Sequence, residues 1–176
     1  GAAGAGSSFE NYVFTVEALK RMLRTVNDDG VVVITVEAKT PPRNGLRLFD
    51  LAVQSLESLD LVPDERLAMM RSWETVTVLM KREKLKSSDI NKIRNFCNER
   101  SFDLAYLPGL KPEEANRYHR LSTPWYYEGA SALLGSERKD YLERYVFDIK
   151  SATDDKPYFF QFLKWDKISA LRQKIR

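Results

Sequence analysis

The chain has 176 residues, of which 43% are hydrophobic and 30% are charged, and its formal net charge is +3. This length and composition are typical of one globular domain with its own core, and they exclude an intrinsically disordered chain. Because 28 basic residues nearly balance 25 acidic residues, they also argue against a dedicated nucleic-acid-binding protein, which usually concentrates basic charge on one face.

The first 83 residues show the pattern of an α/β sheet. An uncharged run of Gly, Ala and Ser at 1–8 is followed by a helical pattern over 11–26, with Thr15 as its predicted N-cap. After Gly30, the apolar run 31–37 is typical of a strand that is covered on both faces. Nothing before the helix supplies this strand with a second neighbour, so we expect the chain to begin partway through a domain. The apolar stripe of the helix is Val16, Leu19, Leu23 and Val26.

A loop, a helix and a hairpin are predicted next. Two prolines make 39–45 a loop at the carboxyl end of the strand, which is the edge where open α/β sheets bind ligands. A second helix is predicted over 46–59. The stretch 66–81 is predicted to form two short strands around Trp73, the second of which alternates with a period of two over 75–80. Because the connection between them is short, we expect an antiparallel hairpin at the edge of an otherwise parallel sheet.

The rest of the chain predicts mostly short elements. A third helix is expected to end near Arg100, with Ser87 or Ser88 as its N-cap. The remaining predicted elements are a short strand at 102–107, short helices between 111 and 147, and an irregular, aromatic-rich segment from 148 to 165.

Cysteine content and hydropathy limit the class of protein further. Cys97 is the only cysteine, which excludes an internal disulfide. It shares one predicted helical face with Ile90 and Ile93, so we expect a buried small hydrophobic side chain rather than a nucleophile. No stretch approaches the ~18 apolar residues of a transmembrane helix. The basic stretch 164–176 could lie beside a membrane surface, although a solvated helix end is the favoured interpretation.

Few side chains offer catalytic or metal chemistry. His119 is the only histidine, and we interpret it as a surface or helix-end residue rather than a metal ligand. Asp154 and Asp155 could form an acid/base pair or bind an amine. Adjacent carboxylates in an extended segment point apart, however, so a turn leading into Pro157 and capped by one of them is favoured. The aromatic run 125–127 could line a pocket for a cation, but core packing is favoured.

Four segments that together span nearly the whole chain resemble one known family. They lie at 10–18, 93–109, 113–118 and 152–160. The chain resembles the spermidine-synthase-like proteins (polyamine aminopropyltransferase-like) that have the S-adenosylmethionine-dependent methyltransferase fold. The resemblance is nearest to large bacterial members in which the soluble domain is joined to membrane-spanning helices.

The resemblance implies a position within that fold. Residues 1–83 would be the carboxyl-terminal half of a Rossmann-like class I methyltransferase sheet, 84–166 a mostly helical extension packed on it, and 167–176 a basic tail leading toward membrane helices. The run 31–37 resembles the fifth strand, and the hairpin 66–81 resembles the sixth and seventh strands. The glycine-rich cofactor loop, the ribose-binding acid and the catalytic aspartate would all lie before residue 1, so no catalytic, cofactor-binding or metal-binding residue is assigned.

One group of residues can be assigned a role by resemblance. Glu10, Asn11 and Tyr12 match the region that follows the catalytic loop and faces the substrate in aminopropyltransferases. The resemblance therefore implies that these three residues bind substrate, and that the longer protein is a transferase using S-adenosylmethionine or decarboxylated S-adenosylmethionine. This chain alone is expected to be inactive and to need no cofactor. The alternative is a binding or assembly module without transfer chemistry.

The same resemblance predicts partners and location. The first expected partner is the missing amino-terminal half of the domain. A homo-oligomer through an open sheet edge is a second possibility, and nucleic acid is not expected. The longer protein would place this chain on the cytoplasmic side of the inner membrane, whereas the fragment itself is expected to be soluble.

Overall fold

The computed structural model describes residues 10–164. The predicted Gly/Ala loop at 1–8 and the basic tail at 167–176 lie outside the described residues. No helix in the described range is both long and apolar enough to cross a membrane. The helices and strands in chain order are α1 (Val16–Thr25), β1 (Val31–Glu37), α2 (Asn44–Glu57), β2 (Leu67–Arg71), β3 (Thr75–Lys81), α3 (Ser87–Glu99), β4 (Asp103–Tyr106), α4 (Trp125–Leu134) and α5 (Arg138–Arg144).

The protein is a mixed α/β structure built on a four-stranded open sheet. The strand order is β1-β3-β2-β4, and each pair of neighbouring strands is antiparallel. The predicted hairpin is confirmed, with Met69 opposite Val78. Its predicted place at the sheet edge is wrong, because β4 pairs with β2 on one side and β1 pairs with β3 on the other. The predicted parallel strand, β1, likewise has an antiparallel partner in the described sheet.

Two apolar layers cover unequal parts of the sheet. Leu67 and Met69 face the main core, which they share with α1, α2 and α4, whereas Ala68 and Met70 face a smaller cluster beneath α3. This division follows from the alternation of side chains along a strand. The predicted face of Cys97 is confirmed, since Cys97 is buried in the smaller cluster together with Ala68, Met70, Leu85, Leu104 and Leu107.

The prediction that β1 is covered on both faces is wrong for the described residues. Val32 and Val36 are buried in the main core. Val31 and Val33 point to the other face and are 45% and 51% exposed. The reason is that α3 packs under β4, at the opposite end of the sheet, and leaves this part of β1 open.

The helix ends test the predicted capping residues. Thr15 is the N-cap of α1, as predicted, and its hydroxyl accepts a hydrogen bond from the Ala18 amide at 3.2 Å. The prediction of Ser87 or Ser88 as the N-cap of α3 is wrong. Lys86 occupies that position, and its backbone N–H donates to the carboxylate of Asp89 at 3.1 Å. A carboxylate in the first turn can bond a free amide without a hydroxyl at the cap, which explains the error.

We expect the exposed edge of β1 to cause self-association. β1 has β3 as its one described neighbour, and an apolar edge strand tends to pair with another chain. The chain should therefore form dimers or larger species as its concentration rises, measured by light scattering. Val33→Lys places a charge on the open face and should shift the chain toward monomer. Val62→Lys, at a comparably exposed valine outside the sheet, is the control and should change nothing.

Two results would contradict this expectation. The first is a monomeric unmodified chain at high concentration. The second is an oligomer whose population is the same in the Val33→Lys and Val62→Lys variants, because association would then use another surface.

Candidate functional site

The three residues predicted to bind substrate lie together at the surface, just before α1. The Tyr12 hydroxyl donates to a carboxylate oxygen of Glu10 at 2.9 Å, and the Asn11 side-chain oxygen accepts from the Val13 amide at 3.2 Å. The hydrogen bond to Glu10 is the main reason that the pKa of Tyr12 is raised. Tyr12 is 52% exposed, so this group forms an open polar surface rather than a closed pocket.

A distant part of the chain fixes this surface in place. The backbone amide of Asn11 donates to the carbonyl of Pro157 at 2.7 Å, and that of Val16 donates to the carbonyl of Ala152 at 3.0 Å. In return, the amide of Asp154 donates to the Glu17 carboxylate at 3.0 Å. Two of the four segments that carry the family resemblance, 10–18 and 152–160, therefore lie against each other in space.

Asp154 and Asp155 occupy a turn, as predicted for the segment before Pro157. A β-bridge joins Thr153 to Lys156, so the two acids are the central residues between them. One oxygen of Asp154 accepts from the Thr15 hydroxyl at 2.6 Å. The carboxylate therefore holds the N-cap of α1 from the side, which gives it a structural role.

We expect Thr15→Val to lower the free energy of unfolding by about 1–2 kcal/mol. Thr15 is fully buried, and its hydroxyl both accepts from the Ala18 amide and donates to Asp154. Thr25→Val is the matched control, because its hydroxyl bonds to the carbonyl of Met22 at the exposed other end of α1. Urea unfolding of both variants is the measurement, and equal effects would contradict a special role for the buried cap.

An aromatic layer lies under the same surface. The ring of Phe14 stacks on that of Phe159 with centroids 4.6 Å apart, and Phe160 contacts Phe14 edge-on at 5.8 Å. Phe159 is fully buried, whereas Phe160 is 51% exposed. Burial of Phe159 thus anchors the segment 152–160 to the main core.

A buried guanidinium also binds the segment 152–160. Arg47, on α2, is 3% exposed and donates to the carbonyl of Tyr158 at 2.9 Å. It also donates to the carbonyls of Phe159 and Asp148. Its guanidinium carbon lies 4.5 Å from the ring centroid of Phe162. Burial lowers the pKa of Arg47 to about 10, so the side chain stays charged at neutral pH.

The other predicted candidates do not join this site. His119 lies in a loop, with its ring 5.5 Å from that of Trp73. Tyr126, from the aromatic run, is buried, and its hydroxyl donates to the carbonyl of Lys39 at 2.8 Å, so core packing is confirmed for this residue. Burial raises the pKa of Cys97 to about 11, which leaves an unreactive thiol. Residues 10–164 contain no group of three or more His, Cys, Asp or Glu side chains that could hold a metal ion.

The sequence interpretation missed a buried ion pair beside α4. Arg71 and Asp103 are 4% and 2% exposed, with their side-chain atoms 2.6 Å apart. Asp103 also accepts the backbone N–H groups of Arg117, Tyr118 and His119 at 2.6, 2.8 and 2.9 Å. The adjacent cavity has a volume of about 10 Å³, room for one water rather than a ligand. The sequence signal for this pair was a charged residue at the end of β2, Arg71, and one of opposite charge at the start of β4, Asp103.

The chain was compared with protein-family models, with curated proteins and with solved structures, and none of them matches it. The surface before α1 presents one carboxylate, Glu10, beside one phenol, Tyr12. Such a pair can attract a cationic group and accept its hydrogen bonds. The described surface has the groups to orient an amine.

Proposed function

We propose that this chain is the carboxyl-terminal part of a spermidine-synthase-like transferase domain that uses S-adenosylmethionine or its decarboxylated form. The glycine-rich cofactor loop and the catalytic aspartate would come from a preceding segment of the same domain. The surface formed by Glu10, Asn11 and Tyr12 would contribute to the substrate side of the site.

The strand order is the observation that carries the proposal. The resemblance assigns β1 to the fifth strand of the methyltransferase fold, and β2 and β3 to the sixth and seventh strands. In the described sheet β2 and β3 form a hairpin that pairs with β1 through β3, which supports an assignment of the three strands to one sheet. Within residues 10–164, β1 pairs only with β3, so its other edge is the place where the fourth strand of that fold would pair.

The polar surface before α1 is consistent with the same assignment. In the proposed domain, α1 follows the loop that carries the catalytic aspartate, so Glu10 would lie near the acceptor substrate. An amine of that substrate would attack the carbon next to the sulfonium, forming a C–N bond while the C–S bond breaks and a thioether leaves. A carboxylate would take the proton from the amine, and Glu10 would help to hold the acceptor's positive charge.

Thermal shift by methylthioadenosine tests this proposal. The ligand should raise the melting temperature of a chain extended by about 130 residues toward the amino terminus, which completes a typical domain. It should leave the melting temperature of the present chain unchanged. Submicromolar binding to the present chain would contradict the proposal that the cofactor-binding residues lie elsewhere. No shift in either chain would favour a binding or assembly module.

A further inference from the structure

The loop between β4 and α4 carries exposed side chains on a backbone that the protein interior holds in place. Asp103 accepts the backbone N–H groups of Arg117 and Tyr118 at 2.6 and 2.8 Å. Asn116, whose φ is 53°, bonds both backbone groups of Leu121 through its side-chain amide, at 2.8 and 2.9 Å. Because this backbone is already ordered, a partner could bind the loop with little loss of conformational entropy.

The exposed side chains of this loop meet the end of α3. The Tyr118 hydroxyl donates to the side-chain oxygen of Asn98 at 3.2 Å. Tyr118, Asn98, Arg117 and Phe102 line one groove, whose volume is about 30 Å³. This volume holds about two or three waters, whereas pockets for small molecules measure about 300–1,000 Å³. The groove therefore admits the tip of a side chain from a larger partner rather than a free small molecule.

Two exposed arginines beside this groove form no ion pair within residues 10–164. The guanidinium carbon of Arg117 lies 5.6 Å from the ring centroid of Tyr118, and that of Arg100 lies 4.9 Å from the ring centroid of Phe96. Phe96 in turn packs edge-on against Phe102, which lines the groove, with ring centroids 5.8 Å apart. A guanidinium beside a ring still has N–H donors for an anion.

We infer that the surface formed by Phe96, Arg100, Phe102, Arg117 and Tyr118 binds an acidic segment of a partner protein. A carboxylate of that segment would pair with a guanidinium, and an apolar side chain next to it would contact the aromatic rings. Arginine and aromatic residues are the types enriched where protein interfaces gain most of their binding energy. The inference does not depend on transferase chemistry.

Neighbouring acids favour a protein segment over a nucleic acid. The carboxylate of Glu114 lines the groove and pairs with Arg94. Glu99, which precedes Arg100 at the end of α3, is exposed. A nucleic acid carries a negative charge at every nucleotide, so it would bring phosphates close to these acids. A peptide can instead place a few carboxylates opposite the arginines alone, which is the better electrostatic match.

Fluorescence anisotropy tests this inference on the full chain. The probe is a fluorescein-labelled peptide built from repeats of two glutamates and one leucine, which should bind the unmodified chain at physiological salt. The same peptide with glutamine in place of every glutamate should bind at least about tenfold more weakly, because its charge-assisted hydrogen bonds are lost. Arg100→Gln combined with Arg117→Gln should weaken binding of the acidic peptide by a similar factor.

A matched double variant provides the control. Arg24→Gln combined with Arg82→Gln removes the same charge from two exposed arginines outside this surface. It should bind the acidic peptide like the unmodified chain. Asp103 bonds the backbone of Arg117 rather than its side chain, so Arg117→Gln leaves that bond in place. Unchanged circular dichroism and urea midpoints will establish that both double variants are folded.

Three outcomes would overturn the inference. The acidic peptide would not bind the unmodified chain, or the two double variants would weaken its binding equally. The third outcome is that labelled oligothymidylate binds more tightly than the acidic peptide, and that Arg100→Gln with Arg117→Gln removes this binding, which would make the surface a nucleic-acid site. None of these measurements uses methylthioadenosine, so failure here is separate from failure of the transferase proposal.

Discussion

Asp103→Leu should lower the free energy of unfolding by about 3–5 kcal/mol, because it leaves the buried guanidinium of Arg71 without its counter-charge. Both side chains are almost completely buried, and their atoms are 2.6 Å apart. Arg71 also donates to the carbonyl of His119. Burial lowers the pKa of Arg71, and the negative charge of Asp103 is the largest of the effects that raise it.

The same substitution should release the loop at 116–119. Three successive backbone N–H groups in this loop donate to Asp103, and burial of unpaired amides is costly. Hydrogen exchange at Arg117, Tyr118 and His119 should therefore accelerate. Urea unfolding gives the global effect, and exchange rates give the local effect.

A double variant and an exposed pair control this prediction. Arg71→Met combined with Asp103→Leu removes both charges and should recover part of the loss, since neither charge is then left alone. The exposed pair between Lys86 and Asp29, 3.0 Å apart, is the comparison, and its removal should change the unfolding midpoint little. A loss below about 1 kcal/mol for Asp103→Leu would contradict a coupled buried pair.

Arg47→Met should lower the free energy of unfolding by at least about 3 kcal/mol, because three backbone carbonyls lose a charged donor. Those carbonyls belong to Asp148, Tyr158 and Phe159. Methionine fills much of the volume, so the loss reports the hydrogen bonds more than a cavity. Arg47→Lys keeps the charge but lacks the planar guanidinium that bonds several carbonyls at once. It should therefore recover only a minor part of the free energy of unfolding that Arg47→Met loses.

The destabilisation caused by Arg47→Met should extend from α2 to the candidate site. Loosening of the segment 148–162 also loosens its bonds to Asn11 and Val16, so the amides of both residues should exchange faster. Arg43→Met is the matched control, because the Arg43 guanidinium lies 5.8 Å from the same ring of Phe162. We expect it to cost about 1 kcal/mol or less. Equal losses for Arg43→Met and Arg47→Met would contradict the anchoring role of Arg47.

Residues that are close together in the sequence were sufficient to predict the start of α1 and the hairpin. Thr15 before an apolar stripe predicted the start of α1, and two strand patterns with a short connection at Trp73 predicted the hairpin. Both signals depend on neighbouring residues, which a sequence pattern contains. Lys86 was missed as the cap of α3 because its backbone N–H donates to the Asp89 carboxylate, and the cap residue itself carries no hydroxyl.

Long-range partners were not predictable in the same way. The position of β4 beside β2 depends on pairing between residues more than 30 positions apart, such as Met70 and Leu104. Arg47 and its carbonyl partners are separated by more than 100 positions, and a single arginine in an amphipathic helix indicates only a solvated face. The surface at Glu10 to Tyr12 was predicted by resemblance, and its assignment to substrate stays a prediction.

Hydrogen exchange at β1 tests the central proposal most directly. In the present chain, at a dilution where it is monomeric, the β1 amides that do not bond to β3 should exchange rapidly. In the chain extended by about 130 residues, a strand from the added segment should pair with β1 and slow those amides strongly. Unchanged exchange along β1 in a folded extended chain would contradict the proposal that β1 is an inner strand of a larger transferase sheet.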